Sequence, residues 1–320
     1  MISVAMCTYN GSRFVREQLD SILSQIMPVG QLVIFDDCST DGTYLILGEY
    51  KEKYPDIVEL HRNESNKGFL KNFELALAEC KGEYIFFSDQ DDRWHNDKTL
   101  KMVEFMKSND LEGVFTNGRL MDSNSSCNGE ELFDYVGFRS VINNIKYKNL
   151  FEYIAICGNI ITGATLAITK NAKQKVLPFR VSKGVYHDMW IGIRIAQMNK
   201  LGYMDKCLID YRVHPSQQIG VNKESASQKE SINSLFLLSS NTVHNSRNSL
   251  FECLLVSSSK LHYLVKTVKM NTWGIIRIEW KYLEMYNQLS RSLPFLKRCS
   301  NLWSFFSTIL INNLKIVLKR

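Results

Sequence analysis

The chain has 320 residues, of which 45% are hydrophobic and 22% are charged, a composition typical of a globular protein with a sizeable core. This length allows one large domain or two smaller ones. No uncharged apolar run reaches the roughly 18 residues of a membrane span, so no transmembrane helix is predicted. No basic segment precedes the strand-like stretch Ile2–Tyr9, so we expect no signal peptide. Eight cysteines occur without a CxxC pair, which predicts free thiols in a reducing cytosol and disfavours a zinc site.

The net charge of +6 is distributed unevenly along the chain. Eleven Lys or Arg and two Glu lie between Lys260 and Arg320, so this segment carries +9 and the rest of the chain −3. A near-neutral body joined to a basic tail rich in aromatic residues predicts that the tail contacts an anionic surface.

Along the first half of the chain, short apolar runs alternate with segments of helical periodicity. Polar turns separate them, and Ser12 in the first turn would cap the first helix. This alternation predicts an α/β fold with a mostly parallel sheet. The predicted strands are Ile2–Cys7, Gln31–Phe35, Val58–His61, Tyr84–Ser88 and Val114–Asn117, and the predicted helices are Arg13–Gln25, Tyr44–Lys53, Phe69–Cys80 and Lys98–Ser108.

The second half of the chain is less regular. Leu120–Asn149 is polar and predicts an insertion with short helices that faces the ligand-binding edge of the sheet. Ser216–Ser234 is rich in Ser, Gln, Asn and Lys, which indicates a linker or lid, and the sequence after it has helical character. We therefore predict one domain at 1–220 and a C-terminal helical region at 221–320. Before the linker, the predicted elements are the strand Ile160–Thr169, the helix Asp188–Asn199 and the strand Cys207–Arg212.

Three carboxylates, those of Asp89, Asp91 and Asp92, directly follow the apolar run Tyr84–Phe87. A strand that ends this way places hard oxygen ligands at the carboxyl edge of a sheet, where open α/β sheets bind their ligands. The close spacing of like charges favours a divalent cation that holds a diphosphate. The alternative is an acidic turn that caps the helix beginning near Asp97.

Four predicted strands end in polar residues that would meet at this edge. A hydroxyl, an aromatic ring, carboxylates for base and ribose, and an acidic metal site together suit a nucleoside diphosphate. The first turn contains no GxGxxG and no P-loop is present, so a metal rather than a glycine-rich loop would hold the phosphates. The strand ends deliver Thr8-Tyr9-Asn10, Asp36-Asp37, Asn66-Lys67-Gly68, and Asp89 with Asp91 and Asp92.

Five short motifs follow one another over roughly residues 1–220. They are Ser3-Val4-Ala5-Met6-Cys7-Thr8-Tyr9-Asn10-Gly11, Phe35-Asp36-Asp37-Cys38-Ser39-Thr40-Asp41-Gly42, Asn66-Lys67-Gly68, Ser88-Asp89-Gln90-Asp91-Asp92-Arg93-Trp94 and His187-Asp188-Met189-Trp190. No single motif identifies a family, but in this order they resemble the family 2 glycosyltransferases. The resemblance implies an inverting enzyme of the GT-A fold, with a Rossmann-like central sheet flanked by helices.

The resemblance implies a nucleotide site joined to a metal site. Asp37 would accept a hydrogen bond from the base imide, which suits uracil or thymine. Asp89 and Asp91 would form an Asp-x-Asp motif, in which Asp91 ligates Mg²⁺ or Mn²⁺ and Asp89 contacts ribose or metal-bound water. His214 would be a further metal ligand or a phosphate donor, and the cation would neutralise the diphosphate leaving group. The nucleotide-binding residues would be Thr8, Tyr9, Asn10, Asp36, Asp37, Lys67, Gly68 and Asp89.

The family's usual Glu-Asp pair at the start of a helix is His187-Asp188 here. The resemblance implies that Asp188 is the general base, taking a proton from an acceptor hydroxyl that attacks the anomeric carbon with inversion. The alternative role of Asp188 is a simple helix cap. Substrate or diphosphate contacts would come from Arg212, His187, Trp94 and Trp190, and structural roles stay open for all four.

The residues that make up these motifs are most similar to the corresponding motifs of bacterial rhamnosyltransferases of O-antigen and capsule synthesis. This resemblance implies dTDP-L-rhamnose as donor and a lipid-linked oligosaccharide as acceptor. UDP-glucose, UDP-galactose and a UDP-N-acetylhexosamine stay open as donors. Specificity would lie in Leu120–Asn149 and Phe151–Thr165.

The C-terminal tail combines the apolar segment Leu302–Ile311 with Lys315, Lys319 and Arg320. Such a pattern is typical of a helix in the membrane interface, which would place the protein on the cytoplasmic face of the cell membrane. The alternative is a helical layer packed on the catalytic domain or on a second subunit, as in a homodimer.

Three other functions are less well supported by the sequence. A nucleotidyltransferase would need a glycine-rich Arg/Lys loop after the first strand, and Cys7–Arg13 is not one. A catalytically inactive nucleotide-sugar-binding subunit stays open because His187 replaces the usual Glu. A nucleic-acid binder is disfavoured because the basic tail contains no recognisable module.

Overall fold

The computed structural model describes residues 1–139, 142–143, 150–179, 181, 186–215 and 217. The chain divides into two compact units. The first comprises Met1–Phe133, Ile161–Phe179 and Val185–Val221, and the second comprises Asp134–Ile160, Arg180–Gly184 and Asn222–Arg320. The predicted helical region at 221–320, with its tail, lies outside the described residues, as does almost all of the predicted linker.

Four parallel strands form one half of the sheet in the first unit. They are β1 (Ile2–Thr8), β2 (Gln31–Asp36), β3 (Val58–Arg62) and β4 (Tyr84–Ser88), in the order β3-β2-β1-β4. Ala5 in β1 lies opposite Val33 on one side and Phe87 on the other, and all three are fully buried. Burial on both faces explains why β1, β2 and β4 are rich in consecutive apolar residues, whereas the edge strand β3 is partly exposed. Because the strands are parallel, their C-terminal ends meet at one edge.

The other half of the sheet is mixed. Its strands are β5 (Arg93–Trp94), β6 (Gly113–Met121), β7 (Cys127–Glu131), β8 (Leu166–Thr169) and β9 (Leu201–Arg212). β8 lies antiparallel between β4 and β6, and β9 runs parallel to β6. β5 pairs antiparallel with the end of β9, which places Arg93 opposite Asp210. The pairing of β5 with β9 therefore brings the segment after the acidic cluster next to the C-terminal end of the sheet's last strand.

Helices follow the strands as the periodicity predicted. In chain order they are α1 (Val15–Leu23), α2 (Thr43–Lys53), α3 (Phe69–Glu79), α4 (Lys98–Ser108), α5 (Leu132–Tyr135), α6 (Leu150–Cys157), α7 (Lys170–Val176) and α8 (His187–Ala196). α3 packs on β1 and β2, and α2 packs on β3. α1 buries Leu19 and Ile22, whereas Ile26, beyond the end of the helix at Leu23, is 59% exposed.

The predicted fold class is confirmed, while several element boundaries were wrong. The strand predicted at Val114–Asn117 extends over all of β6, since β8, β9 and β7 pair with successive parts of it. The strand predicted at Ile160–Thr169 begins only at Leu166, after a 3₁₀ turn at Gly163–Thr165. Ser12 caps no helix, because Phe14 occupies the N-cap of α1. The short polar helix α7 was not predicted.

The predicted insertion at Leu120–Asn149 is more ordered than expected where it is described, since it contains the hairpin of β6 with β7 and the short helix α5. In the second unit, the rings of Phe138 and Tyr153 lie 5.9 Å apart. Among the described residues, no helix is long and apolar enough to cross a bilayer. The five cysteines whose side chains are described carry free thiols, as predicted.

Candidate active site

The C-terminal ends of β1 and β2 hold a fully buried carboxylate, Asp36. It accepts hydrogen bonds from the Thr8 hydroxyl at 3.0 Å, and from both the hydroxyl and the backbone N–H of Ser39. Two predicted nucleotide-binding residues, Thr8 and Asp36, therefore bond to each other. Their hydrogen bonds fix the shape of this edge of the sheet.

The neighbouring carboxylate, Asp37, organises the loop before α3. Its Oδ1 accepts hydrogen bonds from Asn63 Nδ2 at 2.7 Å and from the Lys67 backbone N–H at 2.8 Å, and its Oδ2 accepts from the Gly68 N–H at 2.8 Å. Gly68 has φ of 80°, a conformation that favours glycine. The backbone of Lys67, rather than its ammonium group, thus makes the contact with Asp37. A carboxylate oxygen accepts two hydrogen bonds, which leaves one position on Oδ2 beyond these contacts.

The segment 89–92, which follows β4, is called the acidic loop below. Gln90, which was not singled out from the sequence, joins this loop to the end of β1. Its side chain accepts from the Tyr9 N–H at 2.8 Å and donates to the Tyr9 carbonyl at 3.0 Å. Gly11 makes room for it, since a Cβ there would come within 2.3 Å of the amide. Asn10, with φ of 51°, accepts a hydrogen bond from the Thr40 N–H at 2.8 Å. Tyr9 and Asn10 therefore lie beside the acidic loop, as the strand order predicted.

Two residues predicted as metal ligands meet across 123 positions of sequence. His214 Nε2 lies 2.9 Å from Asp91 Oδ2, and both side chains are largely buried. The ring of Phe14 packs 4.9 Å from the ring of His214. A carboxylate oxygen and an imidazole nitrogen this close could both contact one divalent cation.

The acidic loop is short of positive charge. Burial, followed by the charges of Asp91 and Asp188, raises the pKa of Asp89 to about 7. Burial, then Asp91 and Asp89, raise the pKa of Asp92 well above its usual range. One oxygen of Asp92, Oδ2, has no hydrogen-bond partner in the described part of the chain. The influence of Asp188 on Asp89 indicates that the base candidate belongs to the same electrostatic cluster.

A buried lysine lies near this cluster. Lys98, which was also missed from the sequence, is fully buried, donates a hydrogen bond to the Ala164 carbonyl at 2.6 Å, and has its ammonium 4.0 Å from the centre of the Trp94 ring. Burial lowers its pKa to about 7, against the opposing effect of Asp92 and Asp89. Lys98 is therefore a weak counter-charge that leaves the carboxylates only partly compensated.

These residues fit a divalent cation that is completed by a substrate. No group of three ligand-type side chains converges among the described residues, so Asp89 does not join Asp91 and His214 as a third ligand here. Mg²⁺ is commonly held by one or two carboxylates together with substrate phosphates. Asp91 and His214, beside an under-compensated Asp89, match that kind of donor set.

Asp188 lies in the first turn of α8, where the helix N-terminus favours a negative charge. Its Oδ1 accepts a hydrogen bond from the Met189 backbone N–H at 2.6 Å. Tyr186 occupies the N-cap without a side-chain hydrogen bond, so Asp188 is not the cap residue itself. Asp188 therefore lies at the start of α8 with one carboxylate oxygen bonded to the backbone of the next residue.

His187 is a buried neutral ring. It stacks on Phe73 at 4.1 Å, and Phe87 and Phe69 lie around it. Neither ring nitrogen has a hydrogen-bond partner within the described residues, and burial lowers the pKa of the imidazole to about 3. Gly163 closes the site, since a Cβ there would lie 2.7 Å from Nε2. The expected substrate contact of His187 is therefore replaced by a packing role that fixes the start of α8.

Arg212 is likewise held by the protein. Its side chain is 0% exposed, and its guanidinium donates to the carbonyls of Asp91 at 2.6 Å and Asp122 at 2.9 Å, to Ser125 Oγ at 3.0 Å and to Glu17. The predicted donation to phosphate oxygens is not available to a guanidinium bound in this way. Arg212 instead secures the backbone of Asp91.

Both predicted sugar-stacking indoles lie in the core. Trp94 is 3% exposed and packs against Phe86, with their ring centres 5.7 Å apart. Trp190 is 4% exposed, and its Nε1 donates to the Val176 carbonyl at 2.8 Å. A buried ring offers no free face to a sugar, so the stacking prediction does not hold for either side chain as it is packed here.

Residues 3–157 match the family described as glycosyl transferase family 2. The chain contains a family 2 glycosyltransferase domain at these residues. Among its relatives, TuaG of Bacillus subtilis, provisionally named a teichuronic acid biosynthesis glycosyltransferase, is 28% identical over 229 residues, covering 72% of this chain and 85% of TuaG. The dTDP-rhamnosyl transferase RfbG of Shigella flexneri is 27% identical over 230 residues, covering 68% of this chain and 74% of RfbG.

Solved structures of glycosyltransferases share the fold. Staphylococcus aureus TarS 1-349 in complex with UDP-GlcNAc superimposes with a TM-score of 0.56 at 16% identity, covering 99% of this chain and 81% of TarS. The mannosyltransferase PcManGT of Pyrobaculum calidifontis, in complex with GDP-Man and Mn²⁺, gives a TM-score of 0.53 at 17% identity, covering 99% and 86%. The chain described here therefore shares the GT-A fold.

Proposed function

We propose that this glycosyltransferase moves a sugar from a nucleoside diphosphate donor to an acceptor hydroxyl with inversion, using a divalent cation. The observation that carries the proposal is the meeting of Asp91 and His214 at 2.9 Å, in an acidic cluster that also feels the charge of Asp188. Such a cluster combines a place for phosphate-bound metal with a carboxylate that can take a proton.

The nucleotide would bind at the ends of β1 and β2. Asp37, with one acceptor position left on Oδ2, would accept from the N–H of a uracil or thymine base. Tyr9 and Asn10 would line the base and ribose, and Asp89 would face the ribose or metal-bound water. Thr8, Asp36, Lys67 and Gly68 would support this site through the hydrogen bonds that hold its loops.

The cation, Mg²⁺ or Mn²⁺, would be held by Asp91 and His214 together with the donor phosphates, and when bound it neutralises charge on the departing diphosphate. The mannosyltransferase of the same fold was solved with Mn²⁺, which supports this choice. The residues of this chain orient the diphosphate by fixing these two ligands on the ends of neighbouring strands.

Asp188 would act as the general base. As the acceptor oxygen forms its bond to the anomeric carbon, its proton passes to the Asp188 carboxylate, and the bond from that carbon to the diphosphate oxygen breaks. Attack from the face opposite the leaving group inverts the configuration. The neutral ring of His187 would keep the first turn of α8 in place without adding charge beside the base.

Our preferred donor is dTDP-L-rhamnose. The residues of the motifs support this choice, as does the similarity to a dTDP-rhamnosyl transferase. A UDP-linked glucose, galactose or N-acetylhexosamine is the alternative, since TarS of the same fold was solved with UDP-GlcNAc. The acceptor would be a lipid-linked oligosaccharide of a bacterial surface polysaccharide.

Residues 1–220 would form the catalytic domain. Residues 221–320 would contact the cytoplasmic face of the membrane or a second subunit.

A donor panel measured by calorimetry tests the proposal. dTDP-L-rhamnose, UDP-glucose, UDP-galactose and UDP-N-acetylglucosamine would each be titrated with and without Mn²⁺ into the wild type and Asp91→Ala. We expect one donor to bind in a metal-dependent manner that Asp91→Ala abolishes. Equal binding of all donors without a metal effect would instead favour a structural acidic turn. Metal-dependent binding without any transfer or donor hydrolysis would favour the inactive binding subunit that the replacement at His187 leaves open.

A further inference from the structure

The two proposed cation ligands lie on segments that share one carboxylate, that of Glu17 in α1. Asp91 lies two residues before Arg93, and His214 lies two residues after Arg212. Glu17 Oε1 accepts a hydrogen bond from Arg93 Nη1 at 3.0 Å, and Glu17 Oε2 accepts one from Arg212 Nη2. A single side chain therefore joins the two strand ends that carry the ligands.

Arg212 connects Glu17 to the acidic loop through hydrogen bonds. Its Nε donates to the Asp91 carbonyl at 2.6 Å, and its backbone N–H donates to Asp92 Oδ1 at 2.9 Å. Among the described residues, Glu17 supplies the carboxylate that its guanidinium contacts. A buried guanidinium that loses its counter-charge is strongly destabilised, so the position of Arg212 depends on Glu17.

Arg93 connects Glu17 to β9 on the other side of the site. It follows Asp92 directly in β5, and it donates from Nε and Nη2 to Asp210 Oδ2 at 3.0 and 2.8 Å. Asp210 lies opposite it in β9, two residues before Arg212. The Arg93–Asp210 pair thus joins β5 to β9 directly, and Glu17 joins the same two strands through α1.

The first turn of α1 also contacts the histidine ligand. The ring of Phe14 lies 4.5 Å below the Arg212 guanidinium carbon and 4.9 Å from the His214 ring. Phe14 and Glu17 are three residues apart and lie on the same side of the chain, so they approach the end of β9 together. The contact shows that α1 supports His214 as well as Asp91.

We propose that Glu17 is a positioning residue that sets the separation of Asp91 from His214, and with it the affinity of the enzyme for a divalent cation beside the donor diphosphate. This inference rests on the proposed function, since it requires that Asp91 and His214 bind the cation. Groups that orient metal ligands typically change metal affinity by about 10- to 100-fold when they are replaced. Glu17 touches neither substrate nor cation in this proposal and acts through the two arginines.

The test titrates dTDP into the full-length protein by calorimetry, with and without saturating Mn²⁺, using UDP as the probe if it binds more tightly. The wild type is compared with Glu17→Gln and with Glu49→Gln. Glu49 is a suitable control because it pairs with the neighbouring Arg16 at 2.6 Å on an exposed surface. We expect Glu17→Gln to reduce the Mn²⁺-dependent gain in dTDP affinity by about 10-fold or more. The metal-free dTDP affinity of Glu17→Gln should match that of the wild type. The Glu49→Gln variant should match the wild type both with and without Mn²⁺.

Glu17→Asp keeps the test decisive if Glu17→Gln fails to fold. Aspartate retains the counter-charge for Arg212 but is one methylene shorter, so it cannot span both arginines, and the Mn²⁺-dependent gain should fall by about 3- to 10-fold. An unchanged Mn²⁺ effect in the folded Glu17 variants would overturn this inference alone. A wild type without any Mn²⁺ effect would overturn the proposed metal site and the inference together.

Discussion

The two halves of the site treat their carboxylates differently. At the ends of β1 and β2, Asp36 and Asp37 accept hydrogen bonds from hydroxyl, amide and backbone donors of the nearby turn and of the loop before α3. Beyond β4, Asp89, Asp91 and Asp92 crowd together, and their partners come from distant strands. We call these two groups the nucleotide half and the metal half, after their proposed ligands. The protein satisfies most of the nucleotide half and leaves one acceptor position on Asp37 Oδ2, whereas the carboxylates of the metal half are only partly compensated by positive charge.

The largest effect should come from removing the base next to the metal half. Asp188→Asn keeps the shape of the side chain but cannot take a proton, so we expect turnover to fall by about 10²- to 10⁴-fold. Donor affinity should stay close to wild type, because Asp188 lies outside the nucleotide half. Steady-state transfer or donor hydrolysis gives the first quantity and calorimetry the second. Unchanged turnover would leave Asp188 as a structural residue of the helix start.

A matched pair of variants sharpens the comparison in terms of stability. Asp37→Asn places an amide against three donors, so we expect a loss of about 1–3 kcal/mol in the free energy of unfolding. Asp92→Asn removes a charge that burial disfavours and can keep its bond from the Arg212 N–H, so we expect a change below about 1 kcal/mol. Urea unfolding of both variants checks this difference. Equal losses would mean that the two halves are built alike.

The last effect appears only in acid and is absent at neutral pH. Burial lowers the pKa of His187 from its ordinary 6.5 to about 3, so the unfolded chain binds a proton in this range that the folded chain does not. Stability from this residue is complete above pH 6.5 and falls as the pH drops towards 3. His187→Leu should therefore flatten the acid side of the stability curve between pH 6.5 and 3. Melting temperatures of both proteins over that range test this, and parallel curves would contradict it.

The nucleotide half was largely predictable because its information is local. Each apolar run fixed a strand, and parallel strands bring their ends together, so Asp36, Asp37 and Asp89 could be placed at one edge from the sequence. Even there, the donors to Asp37 were not foreseen. Asn63 and the Lys67 and Gly68 backbone lie on a loop whose path no periodicity describes.

The metal half was less predictable because its partners are remote. The motif resemblance predicted Asp91 and His214 as ligands of the same metal. The burial of Arg212, however, depends on its ion pair with Glu17, which is 195 positions away. The burial of Trp94 and Trp190 depends on how strands and helices close over them, which residue type alone does not decide. Lys98 gave no signal, since a lysine in the first turn of a helix is usually exposed.

The pairing of β5 with β9 has a consequence for comparing sequences. Arg93 lies opposite Asp210, and one ligand stands two residues from an arginine on each strand. Both ligands lie just outside these strands, Asp91 before β5 and His214 after β9, so a residue inserted into either spacing would shift a ligand relative to the arginine beside it. The spacings Asp91-x-Arg93 and Arg212-x-His214, read with a glutamate in the first helix, therefore form a compact search pattern. Such a pattern could separate chains able to assemble this metal half from those that keep only the nucleotide half.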